Sequence, residues 1–278
     1  IAASLWQTAA LETAARLVRA DAMDAIPELF DRHRRRALRG RAAARYADHA
    51  FLKDAMVDDI AARVADTGKC FARVLDLGAH DGRLGARIGG DWTVTVDAAA
   101  AFKPTLVADE DALPFADDSF DLIVSAGSLH NVNDLPGALI QVRRALRPGG
   151  MFIAAFVAGE SLLQLRHDLI AADDAATGRV GVRVAPMIDV QGAAGLLQRG
   201  GFVSPVAEID SFTVRYAGLF ALLADLRGMG EANALASRLP LRRDVLADVA
   251  ARFADRADAD GKTNVPVQII TLTAWNAG

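Results

Sequence analysis

The residues best able to do chemistry lie in three short stretches. In the first, the apolar run Val74-Leu75-Asp76-Leu77 leads into the turn Gly78-Ala79-His80-Asp81-Gly82-Arg83-Leu84-Gly85, and Asp97 closes the β-rich run Trp92-Thr93-Val94-Thr95-Val96. A glycine turn between a strand and a helix lets the backbone approach a ligand closely, and a carboxylate about 20 residues on accepts hydrogen bonds from two ribose hydroxyls. The pattern predicts a nucleotide-binding βαβ unit. His80 breaks the glycine triplet expected of a dinucleotide-binding dehydrogenase, which disfavours that class. In the second stretch, the strand-like run Phe120-Asp121-Leu122-Ile123-Val124-Ser125 ends beside Ser128, His130 and Asn131. His130 could position an acceptor or shuttle a proton, or could only donate to a backbone carbonyl. In the third, Glu231 and Asn233 follow Gly228 and Gly230. They read as a lid over an acceptor, with capping of the next helix as the competing account.

The remaining titratable groups are less suggestive. The five histidines are scattered without ligand spacing, and Cys70 is the only cysteine, so no metal site and no intrachain disulfide are expected. A reducing compartment, the cytoplasm by default, suits that usage. Asp117-Asp118 reads as a turn. Arg32, Arg34, Arg35, Arg36, Arg39, Arg41 and Arg45 make 26–45 the most basic segment, either a surface for an anion or an acidic partner or a solvated helix face. The solvated face is the expectation, because charge runs usually sit in water and no aromatic residues interleave this one.

These residues need a frame to hold them. With a formal charge of −4 there is no global field to recruit nucleic acid or anionic lipid. No apolar run nears the roughly 20 residues that a membrane span needs. Residues 1–20 have near-helical apolar spacing, lack a basic stretch before an apolar one, and carry Glu12, out of keeping with a signal peptide or an organelle presequence. A helix is expected over 51–65, where Phe51, Met56, Ile60 and Val64 keep helical spacing. Strands at 73–77, 92–96, 105–107, 120–125 and 151–157 alternate with helices, which implies a mostly parallel sheet covered on both sides. Phe212, Tyr216 and Phe220, followed by Leu222 and Leu223, recur near helical spacing and read as the core stripe of a helix, with a hydrophobic substrate wall as the competing account. The domain reading is an N-terminal helical segment over 1–66 and a main domain over 67–278 with a helical cap at about 215–258.

Val74 to Gly78, Asp97, Asp109 four residues before Leu113-Pro114-Phe115, Phe120 to Ser125 and Leu146-Arg147-Pro148-Gly149-Gly150 together resemble the successive motifs of class I S-adenosylmethionine-dependent methyltransferases. Leu29-Phe30-Asp31-Arg32, Leu129 to Pro136 and Asp225 to Asn233 resemble, within that superfamily, the group of the mitochondrial complex I assembly factor 5 and its bacterial relatives. The biotin-pathway malonyl carrier-protein methyltransferases share the middle motifs. The resemblance implies a Rossmann-like α/β fold with a seven-stranded sheet and S-adenosyl-L-methionine as cofactor. It places Asp76, Gly78, His80, Gly82, Asp97, Asp109 and Ser125 at the cofactor, with Asp97 on the ribose and Asp109 on the adenine amino group. Ser125 to His130 would face the methyl-bearing sulfur, making His130 and Asn131 the catalytic candidates. His80 stands where the family usually has glycine, and Asn131 where it often has tryptophan. Three functions remain: methyl transfer to a small-molecule or protein acceptor, arginine hydroxylation on a respiratory complex I subunit, and a non-catalytic scaffold.

Overall fold

The computed structural model describes residues 28–277, so the helix expected over 1–20 lies outside the described residues. Seven strands form one sheet: β1 (Arg73–Leu77), β2 (Trp92–Asp97), β3 (Leu106–Val107), β4 (Phe120–Ala126), β5 (Leu146–Ala158), β6 (Phe202–Tyr216) and β7 (Thr263–Asn276). Their order is β3-β2-β1-β4-β5-β7-β6. β1 to β5 run parallel, and β7 is antiparallel to both β5 and β6. The chain steps outward from β1 to β3 and then returns to β4 on the other side of β1. Ligands of open α/β sheets bind where the order reverses in this way, at the carboxyl ends of the strands. Here that crevice lies between the turn after β1 and the loop after β4.

Helices α1 (Arg32–Ala42), α2 (Phe51–Asp66), α3 (Arg83–Ile88), α4 (Leu135–Ala145), α5 (Leu163–Thr177), α6 (Val190–Arg199), α7 (Leu219–Gly228) and α8 (Arg243–Ala254) complete the frame. A 3-10 helix, Ala43–His49, joins α1 to α2. Three helices start at aspartates that accept from backbone amides of their first turn: Asp31 from Arg34, Asp134 from Gly137 and Asp189 from Gly192. Such caps satisfy donors that have no partner inside the helix. On one face of the sheet, Leu75, Leu77, Phe120, Ile123 and Phe152 pack with Leu139 and Val142 of α4 and Leu197 of α6. On the other, Val74, Leu122, Val124, Met151 and Ile153 pack with Met56, Ile60 and Val64 of α2. Removing a side chain of that size from water is worth about 1.5–3 kcal/mol, which fixes α2 to the sheet. Phe51 departs from the expected apolar stripe and is exposed, because α2 turns its first residue outward.

The cap is a separate core in which Leu165 of α5, Leu219 and Leu222 of α7, and Val245, Val249 and Phe253 of α8 pack together. Of the helices expected over 215–258 the first, α7, begins at Leu219, and α5, from far earlier in the chain, joins them. Phe212 and Tyr216 do not belong to a helix. They lie in β6, paired with Val267 and Thr263 of β7, and Phe220 is exposed on α7.

Candidate functional site

The turn after β1 has left-handed backbone at three alternate residues: Gly78 (φ 66°), His80 (φ 52°) and Gly82 (φ 72°). Only glycine fits at the first, since a Cβ there would stand 2.1 Å from the Ser128 hydroxyl. At His80 the chain accepts the strain and uses the side chain. The ring is buried, stacks on Tyr46 at 4.9 Å, and meets Phe102 edge-on at 5.4 Å. In the tautomer protonated at Nδ1, that N–H donates to the Gly78 carbonyl at 2.9 Å and Nε2 accepts from Arg39, while the Lys53 ammonium also lies 3.1 Å from Nδ1. Burial, and then the charges of Arg39, Lys53 and Arg35, hold the imidazole well below its ordinary pKa, so it is neutral.

Asp97 ends β2 fully buried. It accepts from the backbone amides of His80 (2.9 Å) and Ala99 (2.8 Å), and the Arg39 guanidinium lies 3.3 Å away. Asp76 is also buried. It accepts from the Gly85 amide at 2.9 Å and leaves its other oxygen without a partner, and burial raises its pKa against the nearby Lys53 charge. Lys53 itself donates to the carbonyls of Ala79 (2.8 Å) and Ala126 (3.2 Å), tying together the two loops of the crevice; burial pushes its pKa down to about 8. Ser125 is buried with its hydroxyl unpartnered. Gly82 has open space around it, and a Cβ there would meet only Thr95, at 3.5 Å.

The basic segment is the main departure from expectation. Arg32, Arg35, Arg36 and Arg39 sit at i, i+3, i+4 and i+7, one face of α1, and that face lies on the acids after β3. Arg35 grips Glu110 with two hydrogen bonds of 2.6 and 2.7 Å, Arg39 reaches the same carboxylate at 3.0 Å, Arg36 pairs with Asp109, and Arg32 with Asp111 at 3.0 Å. Ser128 donates to Glu110 as well. Burial alone would raise the Glu110 pKa, but Arg35, Arg39 and Ser128 take it well below the carboxylate range. Arg35 and Arg39 are therefore buried ion-pair partners, and the solvated-face expectation fails for them. Charges removed from water need such partners. Glu110, Arg35, Arg39 and Lys53 were not among the expected site residues, and the arginine periodicity was the available sign of them.

Beyond this network lies a cavity of about 680 Å³ between the sheet, α1 and the cap. Leu165, Leu169, Leu222, Leu226, Met229 and Leu235 make it largely apolar, and His130, Asn131 and Glu231 give it a polar wall. Glu231 accepts from His130 Nε2 at 3.0 Å and from the Asn131 amide at 2.5 Å. His130 Nδ1 is buried without a partner. Burial would raise the Glu231 pKa, but facing His130, Arg39 and Arg35 holds it below its usual value. Glu231 and Asn233 are thus in a loop against the cavity, and the capping account does not apply, since Arg242 precedes α8.

The cofactor implied by resemblance finds its donor set here: two left-handed glycines and acids at the ends of β2 and β3. It does not find its space. Arg39 lies on the buried Asp97 at 3.3 Å, the His80 and Ala99 amides take up its oxygens, and Arg36 covers Asp109. In this conformation the residues do not accommodate S-adenosylmethionine.

The segments behind the narrower resemblance come together. The Phe30 amide donates to the Asn133 side chain at 2.8 Å and the Asn133 amide returns to the Phe30 carbonyl at 3.0 Å, while Arg34 donates to the Asn233 carbonyl at 2.7 Å.

A family model described as a methyltransferase domain matches residues 90–154, a span that starts after the His80 turn. Human mitochondrial arginine-hydroxylase NDUFAF5 is 35% identical over 264 residues, covering 89% of this chain and 76% of its own. The malonyl-[acyl-carrier protein] O-methyltransferase of Halorhodospira halophila is 31% identical over 257 residues, 85% of each chain. Among solved structures, the YcgJ protein of Bacillus subtilis aligns with a TM-score of 0.54 at 16% identity, over 78% of this chain and 98% of its own, which supports the fold. The chain belongs to the class I S-adenosylmethionine-dependent methyltransferase family, in the group that joins NDUFAF5 with the malonyl carrier-protein O-methyltransferases.

Proposed function

We propose that this methyltransferase modifies an oxygen or nitrogen nucleophile held in the 680 Å³ cavity, with His130 taking up the proton that the nucleophile loses. One observation carries the reading: Glu231 and His130 form a pair that leaves Nδ1 buried and unpartnered. With Nε2–H donated to the carboxylate, Nδ1 keeps its lone pair, the form a general base needs. Glu231 orients the ring, and Asn131 fixes the carboxylate from the other side. The apolar wall excludes water and holds the acceptor's body. Methyl transfer needs alignment above all, and a cavity walled by the sheet, α1 and the cap supplies it.

The test is transfer of label from methyl-labelled S-adenosylmethionine to the small molecules of a cell extract, with the parent and with His130→Gln. General-base loss should lower transfer by about a hundredfold or more. Equal transfer by the two proteins would overturn the role of His130.

A second reading, hydroxylation of an arginine on a respiratory complex I subunit, is supported by Glu231, an ionised carboxylate on the cavity wall suited to a guanidinium. Mass spectrometry of a subunit peptide separates the two, since a hydroxylase adds an oxygen and requires an oxidant, whereas a methyltransferase adds a methyl group.

A further inference from the structure

The cofactor acids of this protein already have a ligand, and it is the protein's own helix. Arg39 holds Asp97 and Glu110, Arg35 holds Glu110 through both oxygens, and Arg36 holds Asp109. We propose that α1 is a displaceable strap, whose arginines occupy the acids that the adenosine of S-adenosylmethionine must take, so that cofactor binding and strap closure exclude each other.

Three features of α1 support displacement over permanent closure. Among its buried residues, Leu38 is the one large aliphatic side chain, the others being Arg35, Arg39 and Ala42. The helix is therefore held by ion pairs more than by apolar burial. Buried ion pairs contribute little net stability, because desolvation cancels most of the attraction, and released arginines regain their hydration. Two of the interactions also have a replacement: ribose hydroxyls can donate to Asp97 as Arg39 does, and the adenine amino group to Asp109 as Arg36 does, while Glu110 turns to water when Arg35 and Arg39 leave. Finally, α1 can move as a unit. Its entry is fixed at Phe30 by Asn133, and beyond its last turn lies the 3-10 helix with a single buried side chain, Tyr46.

The inference rests on the family's cofactor and is independent of the acceptor proposed above. A disulfide provides the test. A Cβ on Gly40 would stand 3.9 Å from that of Ala101, in the turn after β2, within the range that a disulfide spans. Gly40→Cys/Ala101→Cys, in a Cys70→Ser background, locks the strap when oxidised and frees it when reduced, in one and the same protein. Calorimetric titration with S-adenosylhomocysteine should show binding at least tenfold weaker in the oxidised form, since a competent state made rare lowers apparent affinity in proportion. Arg39→Met, which keeps volume and removes the donors, should bind at least tenfold more tightly than the parent. Hydrogen exchange of 32–42 should become faster with saturating ligand, the reverse of the usual protection. Equal affinity in the oxidised and reduced forms, or weaker binding by Arg39→Met, would overturn the strap while leaving the cofactor assignment intact. Absence of binding by every form, Arg39→Met included, would overturn both.

Discussion

His80 combines a backbone that favours glycine with a side chain that the fold uses. Left-handed geometry at a non-glycine residue costs on the order of 1–3 kcal/mol, and against it stand the Tyr46 stack, the Phe102 edge and the bond to Gly78. His80→Gly removes the strain and all of those contacts together. We expect it to melt earlier than the parent without ligand, yet to gain a larger thermal shift from saturating S-adenosylhomocysteine, because the ring and its hold on Arg39 are gone. A smaller ligand shift would mean that the imidazole contacts the cofactor. The ring also predicts a pH dependence. Its folded-state pKa lies below the ordinary 6.5, so the unfolded chain binds the proton more readily. The stability it contributes is fully present above about pH 6.5 and is lost as the pH falls below it. Urea midpoints measured between pH 7 and 5.5 should decline in the parent and flatten in His80→Asn, a residue that tolerates the same backbone.

The βα turn shows what local sequence can convey about an element. An apolar strand, a glycine turn and a terminal acid are contiguous, so the position of Asp97 at the end of β2 followed from order alone. What Asp97 touches did not follow, because Arg39 arrives from a helix far earlier in the chain. The arginines of α1 illustrate the same limit: their i, i+3, i+4, i+7 spacing marks one face, but nothing local says that Glu110 and Asp109 meet it. β6 was misread for another reason. Phe212, Tyr216 and Phe220 recur every four residues, a spacing that fits both a period of 3.6 and a period of 2. The pairing of β6 with β7 decided in favour of the strand. Asp97→Asn tests the turn as an element. The carboxylate accepts from two amides, and an asparagine satisfies one of them and turns its own donors toward the other. Leaving a buried donor unmet costs about 1–3 kcal/mol. The variant should therefore lose thermal stability along with S-adenosylhomocysteine binding; an unchanged melt would show that Asp97 does not brace the turn.

At the scale of the molecule, α1 joins two sites that the sheet keeps apart. Arg36 and Arg39 lie on Asp109 and Asp97, the acids proposed for the cofactor, and Arg35 on Glu110, whereas Phe30 and Arg34, at its start, line the apolar cavity along with Glu231 and Asn233. The joint between them is compact: Asn133 bridges both polar atoms of the Phe30 backbone, the Asp31 amide donates to the Ala234 carbonyl at 2.8 Å, and the Ala236 amide to the Leu29 carbonyl at 2.9 Å. Any movement that exposes Asp97 thus pulls on the loop carrying Glu231. Asn133→Ala removes the Phe30 half of this joint and leaves the Asp31–Ala234 and Leu29–Ala236 bonds in place. Two hydrogen bonds at about 0.5–1.5 kcal/mol each are lost, which for a chain of this size lowers the melting temperature by roughly 2–4 °C per kcal/mol. The ligand effects should have opposite signs. A strap released at its anchor opens more easily, so S-adenosylhomocysteine should bind more tightly. Phe30, freed from Asn133, lets the Glu231 loop it holds through Asp31 and Leu29 shift, so transfer of label to the acceptor should fall. Equal changes in both would indicate general softening, and a variant altered in stability alone would show that the two sites act independently.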